Sequence, residues 1–413
     1  MSDAASGCIV VGGGPAGMIA GLLLARAGVE TTVYEKHVDF LRDFRGDTIH
    51  PSTQLLLDQL GLIDAFRRIP YSRLDAVRVP AADGTTVTVA DFRRLRHPYP
   101  FIAIAPQWDF LDLLADAARA EPLFRLRMQT EVTGLLQRGG RVTGVRFADR
   151  ATGEEGEQEA LLTIAADGRE SAMRRLAALP MKEHVVPFDV LWFRIPAMRS
   201  DGSRIDVGRS LTPRGAGGRL FILIPRGDYV QAAMLIPKGD ERALRTAGID
   251  AFRAAVMEAA PELAEPACTL RFDDVRVLDV RLNRARRWWT RGLLCIGDAA
   301  HAMSPVGGVG VNLAVQDGVA AAAMLAGPLR TRRMSDARLA AVQRRRALPA
   351  RITQAAQRVV HAGIGRAFAA GWTPLVPTRI SRVLRAMPQL SAIPARLVGV
   401  GARPEPAPDF ARR

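Results

Sequence analysis

Two glycine-rich turns, about 280 residues apart, carry most of the chemistry legible in this chain. The first reads Gly12-x-Gly14-x-x-Gly17, between an apolar run (GCIVVGG, 7–13) and an apolar helical run, PAGMIAGLLLARAG. Gly12 permits a tight turn out of a strand. Gly14 lets the backbone approach a pyrophosphate, and Gly17 lets the helix pack close to the sheet. Pro15 and Ala16 lie inside the same turn. The free amides and dipole of the helix then meet phosphate charge. Glu35 ends the following strand, VETTVYEK, 18 residues after Gly17, with Lys36 beside it. An acid there can accept hydrogen bonds from a ribose. Strand, turn, helix, strand and acid together predict a dinucleotide site rather than a chance glycine turn.

The second turn lies in GLLCIGDAAHAMSPVGGVGVN, from Gly292 to Asn312. It reads as a buried strand, a turn carrying Asp298, then Pro305 and glycines that open a helix. A similar strand end carries Asp167-Gly168. An acid at the carboxyl edge of a parallel sheet points into the ligand crevice; either acid could instead cap a helix. His301 could act as a base or support its turn. His50 could face a pocket or cap the helix that follows it. No nucleophile elbow, HExxH, kinase or P-loop signature is present in the sequence, and no metal site is expected.

These residues need elements to hold them. Residues 7–36 form a βαβ unit of mononucleotide size. HPSTQLLLDQLGL and QWDFLDLLADAARA read as helices. VRVP-AADG-TTVTV and EVTGLLQ-RGG-RVTGVRF read as hairpins. From about Pro180 to Leu282 the chain reads mostly as strands, with one helix near DAFRAAVMEAA. A parallel-type strand and a long Ala-rich helix follow. The expected fold is α/β: a discontinuous Rossmann-type nucleotide-binding domain (1–70, 98–180, 283–330) with an inserted, mainly antiparallel sheet domain (71–97, 181–282) and a basic helical C-terminal segment (331–413). PEPAP at 404–408 reads as a loose end.

Composition is that of an ordinary globular chain, with 48% hydrophobic and 24% charged residues. No run of 18 uncharged apolar residues appears, and the short acidic N-terminus does not resemble a secretory signal. Cys8, Cys268 and Cys295 form no metal or disulfide pattern; Cys8 and Cys295 lie in strand patterns and are expected in the core. A cytoplasmic location is expected. The net charge of +15 is concentrated in the tail, which holds 17 arginines from Arg330 onward against Asp336, Glu405 and Asp409. The body is close to neutral, so no nucleic-acid partner is expected.

The three motifs GGGPAG (12–17), ADG (166–168) and GDAAHAMSPVGGVGVN (297–312), in this order, resemble the FAD-dependent aromatic hydroxylases of the p-hydroxybenzoate hydroxylase type, the class A flavoprotein monooxygenases. The resemblance covers about residues 7–330. It implies that the first turn holds the ADP half of FAD and that Val132 meets the adenine. It places Asp167 near the pyrophosphate, with a part in NAD(P)H use, and Asp298 on the ribityl chain or pyrophosphate. Arg45 matches the family's arginine on a loop beside the flavin, and Gln107 a polar position near the ribityl chain. Arg45 and His50 are the catalytic candidates. Relatives often carry GQGxN where this chain has Gly308-Val309-Gly310-Val311-Asn312, which removes one amide but leaves the backbone donors. Those donors suit the negative charge of a reduced flavin, and Pro305, lacking an N–H, can lie beside the ring.

The implied activity uses NAD(P)H and O2 to hydroxylate a small aromatic or hydrophobic substrate through a flavin C4a-hydroperoxide. A flavin reductase or dehydrogenase is the alternative; the WxWxI motif of halogenases is absent. Trp192, Arg194 and Tyr229, on strands of the inserted sheet, are the substrate-contact candidates; alternation puts Trp192 and Arg194 on one face. In the tail, Ile380, Val383, Leu384 and Met387 recur at helical spacing beside Arg379, Arg382 and Arg385. Such a helix packs its apolar face on the body or lies on an anionic membrane.

Overall fold

The computed structural model describes residues 6–41, 48–208, 210–370 and 376–413. Its spine is a parallel sheet ordered Leu293–Cys295, Glu155–Ala165, Ser6–Val11, Thr31–Tyr34, Phe124–Arg127, with Trp289–Thr290 antiparallel at one edge. Cys8, Ile9, Val10, Val33, Leu162, Ile164, Leu293 and Leu294 have no exposed surface. Strands covered on both faces need such unbroken apolar runs. Helix Pro15–Arg26 lies between this sheet and the helices Gln107–Arg119 and Val309–Arg330, and it is buried from Ala16 to Ala25. That explains why its sequence is apolar all round rather than striped. The first half of Glu155–Ala165 also pairs antiparallel with Arg141–Asp149, which pairs with Thr130–Arg138.

The inserted block forms a five-stranded antiparallel sheet ordered Arg214–Ala216, Arg219–Pro225, Tyr229–Pro237, Phe188–Pro196, Arg276–Leu278. Its two faces have separate jobs. Leu191, Phe193 and Ile195 pack on helix Ile249–Ala259, with the Phe193 and Phe252 rings 5.0 Å apart. Val190, Leu220, Ala233 and Leu235 join the main core, with Trp192 and Ile222 packed against it. The hairpin Ala76–Pro80/Thr86–Asp91 is tied to the inserted block by Ser210–Leu211, which pairs with Ala76 and Val77.

The C-terminal segment opens with a 34-residue helix, Asp336–Ala369, followed by Thr378–Ala386 and Ala392–Gly399. The expected loose end is not loose. Glu405 takes both nitrogens of a bidentate pair from Arg345 at 2.8 Å and a third bond from Arg346 at 3.0 Å. The Ala407 amide donates to Gln59 Oε1 at 2.8 Å, and Arg26 donates to the Ala411 carbonyl at 2.9 Å. Composition alone suggests a solvated end; the buried partners on the nucleotide fold decide otherwise. Helix Val306–Arg330 is long and apolar enough to cross a membrane, yet 78% of its apolar window is buried inside the protein. It is a core helix here.

Candidate functional site

Four neighbouring parallel strands end side by side, and their ends carry the sequence candidates in spatial order. Leu293–Cys295 leads to Asp298, Glu155–Ala165 to Asp167, Ser6–Val11 to the Gly12–Gly17 turn, and Thr31–Tyr34 to Glu35. Three inter-strand steps span about 14 Å, the reach of an extended dinucleotide rather than of a small ligand. Gly12 has φ +107°, and a Cβ there would lie 2.4 Å from the Ala166 carbonyl oxygen. A Cβ on Gly17 would lie 2.0 Å from the Gly12 carbonyl oxygen. Gly14 is different: it N-caps helix Pro15–Arg26, no side chain caps it, and a Cβ there would meet nothing within 4 Å. Two glycines are needed by the fold, and the third leaves open space at the helix N-terminus.

Glu35 is 8% exposed and already held: its carboxylate accepts from the Gly13 amide at 3.0 Å and from His37. Lys36 is exposed beside it. Asp167 does not simply face the crevice. Its carboxylate accepts from Ser171 Oγ at 2.5 Å and from the Met173 amide at 3.1 Å, at the start of helix Ala172–Leu176. Val132 is 7% exposed, opposite Phe147 in the antiparallel ladder. Gln107 is the first residue of its helix. Asp298 is half-buried in the turn Gly297–Ala299. Arg45 lies outside the described residues.

The second glycine turn forms a short 3-10 turn, Val306–Gly308, after Pro305, and then helix Val309–Arg330. Gly308 has φ +63°, and no side chain caps the helix it opens. A Cβ there would lie 2.6 Å from Thr48 Oγ1. Val309, Gly310 and Val311 make up the first turn. The Asn312 side chain faces elsewhere: its Oδ1 accepts from Ser52 Oγ and Thr53 Oγ1, both at 2.8 Å. That oxygen is therefore already engaged within the protein.

His50 neither lines a pocket nor caps its helix by side chain. It is fully buried, with Nδ1 2.9 Å from the Val398 carbonyl and Nε2 3.0 Å from the Gly308 carbonyl. Burial pushes its pKa down to about 4, while the bonds to Gly308 and Val398 pull upward. His301 supports its turn. Its Nε2 lies 2.6 Å from Asp317 Oδ2, which also accepts from the Gly297 amide at 3.0 Å. The other Asp317 oxygen accepts from Arg346 Nε at 2.9 Å. Burial alone would raise the Asp317 pKa; His301 and Arg346 hold it below the ordinary carboxylate range.

Sequence reasoning missed what holds this loop from behind. Gln343, Arg346, Gln354, Gln357 and His361 recur along one face of helix Asp336–Ala369. Gln343 accepts from the Trp288 amide, and Gln354 donates to the Asn283 carbonyl at 2.7 Å. Gln357 donates to the Ser304 and Val306 carbonyls at 2.9 and 2.8 Å, on either side of Pro305. His361 Nε2 lies 2.8 Å from Ser304 Oγ. A polar 3-4-7 stripe on an arginine-rich helix was the available signal.

The inserted sheet lies along this loop. At one end the Phe188 ring meets His361 edge-on at 5.1 Å. At the other, Ile224 and Val398 share an apolar cluster with Ile102 and Ile104, and Val398 lies beside Gly307. Trp192 points to this side. Its indole Nε1 is buried and has no acceptor among the described residues. Arg194 stacks 4.9 Å over the Tyr229 ring and is exposed. Among the described residues no group of three or more His, Cys, Asp or Glu could hold a metal ion.

A bare helix N-terminus behind Gly14, acids at successive strand ends and a second uncapped helix start at Gly308 suit a long ligand with a charged middle. The comparisons agree. The family model for the FAD binding domain matches residues 6–356. The 6-methylpretetramide 4-monooxygenase of Streptomyces rimosus is 36% identical over 340 residues, covering 82% of this chain and 79% of that protein. The protoasukamycin 4-monooxygenase of Streptomyces nodosus subsp. asukaensis is 27% identical, over 76% and 77% of the two chains. The crystal structure of OxyS, an anhydrotetracycline hydroxylase from Streptomyces rimosus, superposes with a TM-score of 0.73 at 21% identity, covering 95% of this chain and 75% of that one. The chain belongs to the FAD-binding-domain family of class A flavoprotein monooxygenases. It is an FAD-dependent monooxygenase acting on a small aromatic substrate, with NAD(P)H as co-substrate and O2 as oxidant.

Proposed function

We propose that the substrate is an electron-rich, multi-ring phenolic compound and that one oxygen atom enters its ring; the 36% identical relative is named as a 6-methylpretetramide 4-monooxygenase. The observation that carries this reading is the inner face of the inserted sheet. Val190, Ile222, Ala233 and Leu235 make it largely apolar, and the Trp192 indole N–H, without an acceptor among the described residues, supplies a buried donor. An apolar wall with few convergent polar groups suits a flat aromatic ligand. A buried unpaired donor costs about 1–3 kcal/mol, so a substrate oxygen that accepts from it gains orientation as well as affinity.

Gly12, Gly14, Pro15, Ala16 and Gly17 would hold the FAD pyrophosphate, Glu35 and Lys36 the ribose end, and Val132 the adenine. Gln107, Asp167 and Asp298 would line the middle, and Pro305 with the backbone of Gly308–Asn312 the ring end. When bound, FAD supplies the electron transfer and oxygen activation that no side chain can supply. The chain's own part is positional. The amides opening helix Val309–Arg330 favour negative charge beside them. The sheet excludes water, and the bonds from Gln357 hold Ser304 and Val306 on both sides of Pro305. Reconstituted with FAD in air, the enzyme is expected to consume NAD(P)H faster when polycyclic phenols are added, with a hydroxylated product. A broad panel that neither stimulates consumption nor yields product rejects the reading.

We also infer that the helix Thr378–Ala386 touches an anionic membrane surface. Its apolar face packs on the body only through Leu384, which meets the Val79/Val87/Val376 cluster; Ile380, Val383 and Met387 are 51%, 49% and 45% exposed, beside Arg379 and Arg382. Beside Leu384 the body-facing side is polar, with Ser381 donating to Asp83 at 2.9 Å and Arg385 paired with the same carboxylate. Anionic vesicles should pellet the wild type and spare an Ile380→Ser/Val383→Ser variant; equal pelleting rules the contact out. A cytoplasmic location accords with three free cysteines, of which Cys8 and Cys295 are buried core residues.

A further inference from the structure

A cavity of about 260 Å³ lies between the two-stranded ladder Met181–His184/Leu282–Ala285 and the helix Asp336–Ala369. Its lining includes Lys182, Arg284, Arg286 and Arg351, with Trp288 and Gln343, and contains no acid. Lys182 stands directly opposite Arg284 in the ladder. Like charges in that relation destabilise a strand pair. Burial first, and then the charge of Arg351, lowers the pKa of Arg284. None of the four cations has a carboxylate within 4.0 Å among the described residues. Three of these cations come from a body whose first 329 residues are nearly neutral, and their gathering with Arg351 around a concave space calls for an anion.

The walls are fixed. Arg284 donates to Gln354 Oε1 at 2.7 Å, and Gln343 accepts from the Trp288 amide while donating to the Arg286 carbonyl. Trp288 has no exposed surface, and its indole N–H has no acceptor among the described residues. Three guanidinium groups and an ammonium are the donor types that bind a tetrahedral oxyanion. The volume falls below the roughly 300–1,000 Å³ of pockets that enclose whole organic ligands. A space of that size suits a phosphate group rather than a dinucleotide.

We propose that this cavity is a phosphate-binding site, separate from the FAD crevice, that takes inorganic phosphate or the phosphomonoester end of a larger molecule. The Trp288 ring lies 4.9 Å from that of His301, whose other side is bonded to Asp317 under the Gly297 turn. An anion here therefore braces a wall that touches the second glycine turn from behind.

The test uses holoenzyme titrated with sodium phosphate, against sodium chloride at equal ionic strength, with melting temperature and tryptophan emission as readouts. Phosphate is expected to give a saturable response. Losing one guanidinium should weaken apparent affinity about tenfold or more, the scale of one charge-assisted hydrogen bond. Arg284→Gln and Arg351→Gln are the variants, each checked for its FAD absorbance. Should Arg284→Gln fail to fold, Lys182→Gln and Arg351→Gln, both at exposed residues, carry the test. Steady-state kinetics with NADPH and with NADH identify the source. A KM rise in Arg351→Gln confined to NADPH assigns the phosphate to the 2′-position of that co-substrate. Unchanged KM values beside a lost phosphate response assign it to free phosphate or another phosphomonoester. A response that follows ionic strength alone, or survives in the variants, overturns the site.

Discussion

At the residue scale, the three glycines of the first turn have different physical reasons, and substitution separates them. Gly17→Ala places a methyl 2.0 Å from a backbone oxygen that cannot move away without breaking the strand–helix junction. It is expected to abolish soluble folded protein. Gly14→Ala meets nothing within 4 Å, and its backbone has an ordinary φ of −73°. It should fold with near wild-type melting behaviour yet lose FAD, because the methyl fills the space the pyrophosphate needs. Absorbance of the purified variants near 450 nm checks this; a Gly14→Ala protein that stays fully yellow contradicts it. The steric roles of Gly12 and Gly17 were legible in the sequence because a tight turn and a close helix–strand approach depend on local geometry. For Asp167 the helix-capping alternative was legible but its partners were not, and for Asn312 and His50 neither role nor partner was. Their partners, Ser171 and Met173, Ser52 and Thr53, Gly308 and Val398, are set by which elements meet in space.

At the scale of elements, the Gly297–Asn312 loop is held by parts of the chain that carry no motif. His50 sits between the loop and helix Ala392–Gly399, its ring nitrogens facing the Gly308 and Val398 carbonyls, to one of which a neutral ring donates, and the polar stripe of Asp336–Ala369 holds the loop's other side. Strands and the main helices were readable from period and turn residues, as for Ile249–Ala259 and Val309–Arg330. The clamp was not, because glutamines on an arginine-rich helix look like solvated surface until a partner covers them. The His50 tie has a pH consequence. Its folded pKa is about 4 against an ordinary 6.5. Between those values the unfolded chain takes up a proton that the folded chain refuses. Stability is therefore complete above pH 6.5 and falls as pH drops toward 4, by about 3 kcal/mol for this one ring. Urea unfolding at pH 7 and pH 4.5 should show a steeper loss in wild type than in His50→Gln. Parallel losses in the two proteins would mean that the ring is not buried neutral.

At the scale of the molecule, the chain leaves the nucleotide fold, builds a second sheet, and returns to close the site with the Gly297–Asn312 turn. A C-terminal segment then clamps that turn through Asp317, Arg346 and Glu405, all buried. Replacing either partner of such a pair strands a charge, at about 3–5 kcal/mol, so the segment belongs to the working structure of the enzyme. The most direct test of the oxygenase reading is to run the FAD-loaded enzyme with NAD(P)H and a stimulating phenolic substrate under 18O2. The expected product carries one 18O atom in the new hydroxyl group, with one NAD(P)H consumed per product formed. A hydroxyl oxygen drawn from water, or NAD(P)H consumption matched by hydrogen peroxide with no labelled product, would contradict the account.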